Sequence, residues 1–176
     1  MRIIAGTLKG RRLQAPPEGD LGIRPTSDRA REALFSILQA WPKGAFLDLF
    51  AGTGAVAVEA WSRGYAPVIC VERDAKAIAI AQQNARGTSV RVLRQDALRC
   101  QADAFQDLDL IFADPPYEVS LPCFERLAPT LRNWLAPGGL LVWETEWRVD
   151  LSCPDGFALV DSRQYGAARF HFFRAG

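Results

Sequence analysis

Short apolar segments alternate with helical patterns along most of the chain, and this alternation is the feature that most restricts its fold. Five segments predict strands, at residues 45–50, 67–72, 89–93, 108–113 and 140–144. Helical patterns over residues 55–63, 75–85 and 121–135 lie between them. Apart from Asp109 the fourth strand is apolar, as expected of a strand that is covered on both faces. Strands separated by helices predict a doubly wound α/β fold with a mostly parallel sheet.

Each end of the chain predicts a hairpin. Residues 157–160 and 169–173 alternate around a polar turn near Gly166, which adds an antiparallel C-terminal hairpin and brings the sheet to seven strands. Residues 2–5 and 11–13 are β-prone and predict an N-terminal β-hairpin extension. A loop rich in proline and glycine follows this extension, at residues 14–22.

Other signals set helix boundaries. Apolar residues at helical spacing predict an amphipathic helix before the first strand; they are Ala30, Ala33, Leu34, Ile37, Leu38 and Trp41. Its N-cap is Thr26, Ser27 or Asp28. Pro129 predicts a break in the helix over residues 121–135, with a second helical piece beginning there. The sequence Pro137-Gly138-Gly139 predicts a turn before the fifth strand.

Charge is concentrated near the N-terminus. The 176 residues fit one domain, 1–176, with a basic extension over 1–22 and a core over 23–176. Residues 1–31 hold seven basic and three acidic side chains, whereas the remainder has a net charge of −3. A basic arm on a near-neutral body predicts a polyanionic partner that Lys9, Arg11 and Arg12 would contact. The alternative is a solvated terminus that only aids solubility.

Several classes of protein are disfavoured by the sequence. No apolar run approaches the roughly 18 residues of a membrane span, and charge returns at Lys9, too early for a secretory leader. The four cysteines form no Cys-x-x-Cys pair and the chain has a single histidine, so we expect no metal site. We therefore expect a cytoplasmic protein that does not associate with membranes.

A glycine-rich loop follows the first strand, where a nucleotide cofactor is expected. Gly52 and Gly54 let the chain turn tightly and let a ligand approach the start of the next helix. Glu72 ends the second strand and can accept the hydroxyl hydrogens of an adenosine ribose. Because Gly52-x-Gly54-x-x-Ala57 also fits the dinucleotide fingerprint, the loop alone does not separate S-adenosyl-L-methionine from NAD. An unliganded tight turn is the structural alternative.

Two acidic residues refine the cofactor prediction. Asp48 favours S-adenosyl-L-methionine, since an acid there can face an ammonium group but would repel a pyrophosphate. Asp96, beside Ala97, follows the third strand and can accept from an adenine amino group, or it merely caps the next segment. The predicted cofactor residues in this part of the chain are Asp48, Phe50, Ala51, Gly52, Thr53, Gly54, Glu72, Arg73, Asp96 and Ala97.

The fourth strand ends in Asp114-Pro115-Pro116-Tyr117, which predicts amino-group methylation. The exocyclic nitrogen of a base is a poor nucleophile because its lone pair is delocalised into the ring. The Asp114 carboxylate and the Pro115 carbonyl can accept hydrogen bonds from the two N–H groups of this nitrogen as it becomes pyramidal. Pro116 stiffens the backbone of the segment. Tyr117 offers a face on which a flipped-out base can stack. The proton would leave after methyl transfer. An ordinary turn is the alternative.

The chain resembles the class I methyltransferases and, more closely, the RsmD family of bacterial 16S ribosomal RNA guanine-N2 methyltransferases. The family-specific similarity lies in the motifs at residues 2–6 with 10–13 and 24–29 with 31–32. Further matches lie at 50–54, 59–60 and 62–64, and the motif at 114–117 is shared by many amino-methyltransferases. Ala57 and Trp61 depart from the family pattern of glycine and leucine. Both lie on the helix after the loop, where packing is affected more than chemistry.

The resemblance implies a Rossmann-like class I fold and S-adenosyl-L-methionine as cofactor. It also implies that Arg24 and Thr26 lie near the methionine end of that cofactor, although helix capping explains Thr26 equally well. The implied substrate is a loop guanine of 16S ribosomal RNA within the small ribosomal subunit, and the protein is expected to be a monomer.

Three other functions remain open. A DNA adenine-N6 methyltransferase would share the chemistry of Asp114, but 176 residues leave no room for a separate DNA-recognition domain. An NAD-linked oxidoreductase would share the glycine loop but has no use for the Asp114 motif. A non-catalytic RNA-binding protein would not need that motif beside a cofactor loop.

Overall fold

The computed structural model describes residues 1–16 and 28–176. Within them a mostly parallel sheet of seven strands has the order β3-β2-β1-β4-β5-β7-β6. The strands are β1 (Phe46–Leu49), β2 (Val68–Glu72), β3 (Arg91–Arg94), β4 (Leu108–Ala113), β5 (Leu135–Glu146), β6 (Phe157–Tyr165) and β7 (Ala168–Ala175). Strands β1 to β5 pair in parallel, and β7 is antiparallel to both β5 and β6. The predicted doubly wound sheet with its C-terminal hairpin is confirmed.

Helices cover both faces of the sheet. They are α1 (Asp28–Leu38), α2 (Ala55–Ser62), α3 (Ala75–Asn84) and α4 (Ser120–Trp134), with short 3-10 helices at Ala97–Arg99 and Tyr117–Val119. Alternate residues of β4 point to opposite faces: Ile111 packs in a cluster with α4, and Phe112 in a second cluster with α1 and α2. Burial on both sides explains why the central strands are almost continuously apolar.

Helix α4 runs without a break, so the predicted interruption at Pro129 is wrong. Pro129 removes one backbone donor, which would have bonded the carbonyl of Glu125 one turn earlier. Both residues are exposed, so water can hydrate that carbonyl. The buried stripe continues across the proline, since Phe124 and Leu131 belong to one core cluster. Packing of this stripe outweighs the loss of one solvent-facing hydrogen bond.

The predicted turn at Pro137-Gly138-Gly139 is instead an irregularity within β5, which begins directly after α4. Leu135 pairs with Leu108 and Leu140 pairs with Leu110, so the extra residues bulge out of the ladder. A Cβ atom on Gly139 would lie 2.9 Å from the Leu108 carbonyl oxygen, which explains the glycine there. The helix before β1 also differs at its C-terminal end, because it ends at Leu38 and leaves Trp41 outside it.

The N-terminal hairpin, defined here as residues 1–16, is a small antiparallel unit packed on α2 and α3. Arg2 and Arg12 form its single bridge, and the amide of Ile3 donates to the carbonyl of Arg11 at 2.9 Å. Ile3 and Leu13 are buried in a third cluster with Val58 of α2. The predicted extension is therefore present as a β-hairpin, held by packing rather than by the main sheet.

Candidate active site

A cavity of about 600 Å³ opens at the carboxyl ends of the parallel strands. This is where ligands bind in open α/β sheets, because the strand order reverses there between β1 and β4. Thirteen of the residues predicted as site residues line it: Asp48, Phe50, Ala51, Gly52, Thr53, Glu72, Arg73, Asp96, Ala97, Asp114, Pro115, Pro116 and Tyr117. The loops after β1, β2, β3 and β4 thus converge on one volume.

The glycine loop turns through left-handed backbone. Gly52 has φ 53° and Gly54 has φ 71°, and Phe50 adopts φ 60° although it is not a glycine. Such a conformation is uncommon for a bulky side chain and is found where a site over-determines the backbone. Gly54 is the N-cap of α2 and does not line the cavity. A Cβ atom there would lie 3.2 Å from the Ala81 side chain, so Gly54 permits α2 and α3 to approach.

Asp48 lies beneath the loop as a buried carboxylate. Its Oδ2 accepts the backbone N–H of Ala57 at 3.0 Å, near the start of α2. Burial raises the pKa of Asp48 well above its usual value, and the negative charges of Asp114 and Glu72 raise it further. A positively charged group in the cavity would oppose both effects and favour the ionised form. Ala57 is fully buried, so its departure from the family pattern concerns packing.

Glu72 is fixed by three backbone donors. Its Oε2 accepts the N–H of Gly52 at 2.8 Å, and its Oε1 accepts the N–H groups of Arg73 and Asp74 at 2.7 and 2.9 Å. A carboxylate has about four acceptor positions, so one position on Oε2 is left for a ligand hydroxyl. A second hydroxyl would have to displace one of the N–H groups. The same bonds tie the glycine loop to the end of β2.

Asp96 caps the 3-10 helix that follows β3. Its Oδ1 accepts the N–H of Leu98 at 3.0 Å, which is the capping interaction considered as an alternative role. Oδ2 lies 3.9 Å from the exposed Arg99 guanidinium. Asp96 also lines the cavity together with Ala97, so its capping role does not remove this residue from the cavity.

The Asp114-Pro115-Pro116-Tyr117 segment lies at the end of β4, on the opposite side of the cavity from β2. Tyr117 begins a 3-10 helix, and its hydroxyl donates to Oε1 of Glu144 at 3.2 Å. Glu144 is only 5% exposed and belongs to β5. This hydrogen bond gives the Tyr117 ring a fixed orientation beside Asp114.

Some lining residues had not been predicted. Glu144 follows the apolar run at 140–143, and an acid at the carboxyl end of a strand is the signal that identified Glu72 and Asp114. Gln95 and Leu98 flank Asp96 and could have been included by adjacency. The turn at residues 165–168 also lines the cavity. Only the antiparallel pairing of β7 with β5 brings that turn there, and local alternation does not indicate which strand of the sheet β7 pairs with.

Lys9, Arg11 and Arg12 lie on the N-terminal hairpin, outside the cavity. Glu59 of α2 accepts the backbone N–H groups of Ile4 and Ala5 at 2.8 and 3.0 Å. At the far end of α2 the Ser62 hydroxyl donates to the Ala5 carbonyl at 2.6 Å. The hairpin therefore runs along α2, and its tip lies beside Ser62, at the end of α2 that is farther from the glycine loop.

The open end of the hairpin reaches the glycine loop through Asn84. This buried side chain accepts the N–H of Gln14 at 2.8 Å and donates to the carbonyls of Gln14 and Thr53 at 3.1 and 2.9 Å. Arg24 and Thr26 lie outside the described residues, as do the N-cap candidates Thr26 and Ser27. Within residues 1–16 and 28–176 no group of side chains could hold a metal ion, and no helix could span a bilayer.

Comparisons with known proteins identify the family. The family described as "Conserved hypothetical protein 95" matches residues 1–174. The ribosomal RNA small subunit methyltransferase D of Haemophilus influenzae is 31% identical over 99% of this chain and 93% of its own length. The Escherichia coli K12 protein of the same name is 35% identical over 83% of this chain and 75% of its own length.

Solved structures agree with this result. The Escherichia coli protein yhhF is 29% identical and superposes with a TM-score of 0.83, covering 99% of this chain and 97% of that one. The sheet and its flanking helices have the class I methyltransferase fold. The chain accordingly belongs to the conserved hypothetical protein 95 family, which includes the ribosomal RNA small subunit methyltransferases D, and it is a methyltransferase.

Proposed function

We propose that this protein uses S-adenosyl-L-methionine to methylate the exocyclic N2 amino group of a guanine in 16S ribosomal RNA of the small subunit. One observation carries the proposal: Asp114, Pro115, Pro116 and Tyr117 line the same cavity as the glycine loop and Glu72. A base-binding motif and a nucleoside-binding loop thus share one volume. The names of the Haemophilus influenzae and Escherichia coli relatives support ribosomal RNA as the substrate.

The acidic residues of the cavity suit a cationic cofactor. Asp48 would face the ammonium group of the methionine moiety, Glu72 a ribose hydroxyl and Asp96 the adenine amino group. Bound there, S-adenosyl-L-methionine supplies an activated methyl group on a sulfonium centre. The raised pKa of Asp48 would fall when a cation binds, because the positive charge offsets the cost of burial. The same carboxylate would repel a cofactor that contains a pyrophosphate, which disfavours an NAD-linked oxidoreductase.

Asp114 and its neighbours would act on the amino group of the base. The Asp114 carboxylate and the Pro115 carbonyl would accept hydrogen bonds from its two N–H groups, which would turn the nitrogen lone pair toward the methyl group that the cofactor would supply. Tyr117 stacks on the ring, and its bond to Glu144 limits rotation. After transfer the nitrogen is strongly acidic, so its proton leaves to solvent or to Asp114.

The charge of the cavity limits how the polymer can bind. Among the described lining residues seven are carboxylates, namely Asp48, Glu72, Asp74, Asp96, Asp114, Glu118 and Glu144, whereas Arg73 is basic. Such a cavity repels phosphates but accepts a neutral base. A flipped-out guanine fits this requirement, with its backbone held by basic groups outside the cavity.

A methyl-transfer assay tests the proposal. Wild-type protein and tritiated S-adenosyl-L-methionine are incubated with small ribosomal subunits, naked 16S RNA and DNA, and labelled products are digested to nucleosides. We expect N2-methylguanosine from an RNA acceptor. Asp114→Ala should lower turnover by about 100-fold or more while changing cofactor affinity little. Labelled adenine from DNA would favour the adenine-N6 alternative, and no transfer to any acceptor would contradict the proposal.

A further inference from the structure

The loop after β5 carries an exposed tryptophan beside an arginine at the rim of the cavity. We propose that Trp147 and Arg148 form a binding site for an unpaired nucleotide next to the target base, with that base stacked on the Trp147 ring. This inference rests on the proposed function, because it supplies the polymer contact that the acidic cavity cannot provide.

Position is the first observation. Glu144 lines the cavity near the end of β5, and Trp147 follows three residues later. The backbone N–H of Trp147 donates to the carbonyl of Ala167 at 3.0 Å. Ala167 itself lines the cavity as part of the turn at residues 165–168. A base that leaves its stack to enter the cavity would therefore leave its neighbour within reach of Trp147.

The loop is anchored, so the exposure of Trp147 is not a consequence of a loose segment. The N–H of Val149 donates to the carbonyl of Glu146 at 3.0 Å, and Leu151 is buried in the core. The buried Thr145 hydroxyl contacts the ring of His171 at 2.9 Å and the Val149 carbonyl at 3.4 Å. Trp147 nevertheless remains 36% exposed. The anchored backbone therefore holds this exposed ring in a defined position, as a stacking platform requires.

Charge favours a nucleic acid as the occupant. The guanidinium of the exposed Arg148 lies over the Trp147 ring, 4.7 Å from its centroid. This arrangement holds one face of the indole against a cation and leaves the guanidinium edge able to donate to a phosphate. The exposed part of the ring can accept any base, since stacking on an aromatic ring is tolerant of sequence. A stacked neighbour would also offset part of the cost of flipping the target base.

The test separates stacking from folding. We expect Trp147→Ala to raise KM for small ribosomal subunits about 10-fold, the effect of losing one base stack, with little change in kcat or in cofactor affinity. Trp147→Phe should retain most of the affinity because an aromatic face remains. Trp41→Ala is the matched control: it removes the same side chain from the segment before β1, beside Val160 and Asp161 of β6 and outside the cavity, and should leave KM unchanged. Melting temperatures establish that each variant is folded.

A binding assay tests the site without catalysis. Fluorescence anisotropy measures the affinity of each variant for a labelled single-stranded oligoribonucleotide. Weaker binding by Trp147→Ala than by wild type and Trp41→Ala supports the nucleotide site even if methylation of every acceptor fails, in which case only the proposed function is wrong. Equal affinities overturn the site, as does a wild type that binds no oligoribonucleotide. A raised KM for subunits with unchanged oligonucleotide affinity would indicate a ribosomal protein as the contact and also overturn it.

Discussion

The two hairpins of this protein are attached to the core in different ways. The C-terminal hairpin, β6 and β7, extends the main sheet, since seven residue pairs join β7 to β5. The N-terminal hairpin has one bridge of its own and is attached by side chains of α2 and α3 that bond its backbone. A sheet edge can be recognised from local alternation, whereas attachment by side chains depends on residues far apart in sequence. The sequence therefore predicts the C-terminal hairpin as part of the sheet but does not predict how the N-terminal hairpin is attached.

Glu59→Ala should produce the largest change, because it removes the main attachment of the N-terminal hairpin. The buried carboxylate accepts the N–H groups of Ile4 and Ala5 and the guanidinium of Arg63 at 2.7 Å. Leaving these donors without an acceptor should lower the free energy of unfolding by about 3–5 kcal/mol. Hydrogen exchange should accelerate at Ile4 and Ala5 while the β5–β7 amides stay protected.

Glu59→Gln serves as the control for side-chain volume. It keeps the shape of the side chain but not its charge, so we expect an intermediate loss in urea unfolding. If Glu59→Ala exposed the amides of both hairpins equally, the N-terminal hairpin would be part of the same cooperative unit as the sheet, and the contrast between the two attachments would be wrong.

The parts of the fold that were predictable from sequence share a local origin. The apolar strands, the glycine loop with Glu72 and the Asp114 segment each follow from a short run of residues, and the structure brings them to one cavity. The predicted helix break at Pro129 is wrong because packing of the buried stripe of α4 outweighs one lost hydrogen bond. The roles of Glu59, Ser62 and Asn84 could not be predicted, because their partners in the N-terminal hairpin lie 54 to 70 residues away along the chain.

Two glycines of the N-terminal hairpin offer a sharper comparison. Gly6 and Gly10 both have φ +86°, so alanine should cost each about 1–2 kcal/mol of backbone strain. A Cβ atom on Gly6 would also lie 1.8 Å from the Ser62 carbonyl oxygen, whereas nothing lies within 4 Å of one on Gly10. Gly6→Ala should therefore be clearly more destabilising in thermal unfolding. Equal losses would mean that the hairpin does not rest closely on α2.

The C-terminal hairpin should respond to acid. Burial, reinforced by the positive charge of Arg169, lowers the pKa of His171 from 6.5 to about 4. The neutral ring is favoured by folding, so its contribution is complete above pH 6.5, is lost as pH falls toward 4, and is absent below that. Urea unfolding at a series of pH values should show a steeper acid loss for wild type than for His171→Gln. Parallel profiles would contradict this role.

The smallest expected effect is on cofactor affinity, through the hydrogen bonds that connect the N-terminal hairpin to the cavity. Asn84 is the side chain that bonds both Gln14 of the hairpin and the carbonyl of Thr53 in the glycine loop. Asn84→Ala should loosen the loop, because the Thr53 carbonyl loses its donor. We expect the affinity for S-adenosyl-L-methionine to fall by about 3- to 10-fold, the equivalent of one neutral hydrogen bond. Calorimetry on the folded variant measures it.

Ser62→Ala is the matched control for this prediction. It removes the bonds of the Ser62 hydroxyl to the Ala5 carbonyl and the Leu8 amide, so it also weakens the hairpin, but it contacts no residue of the glycine loop. A general loss of stability would lower cofactor affinity in both variants, whereas a specific link through Asn84 lowers it in one. Equal affinities in the two variants would show that the hairpin and the cavity are independent.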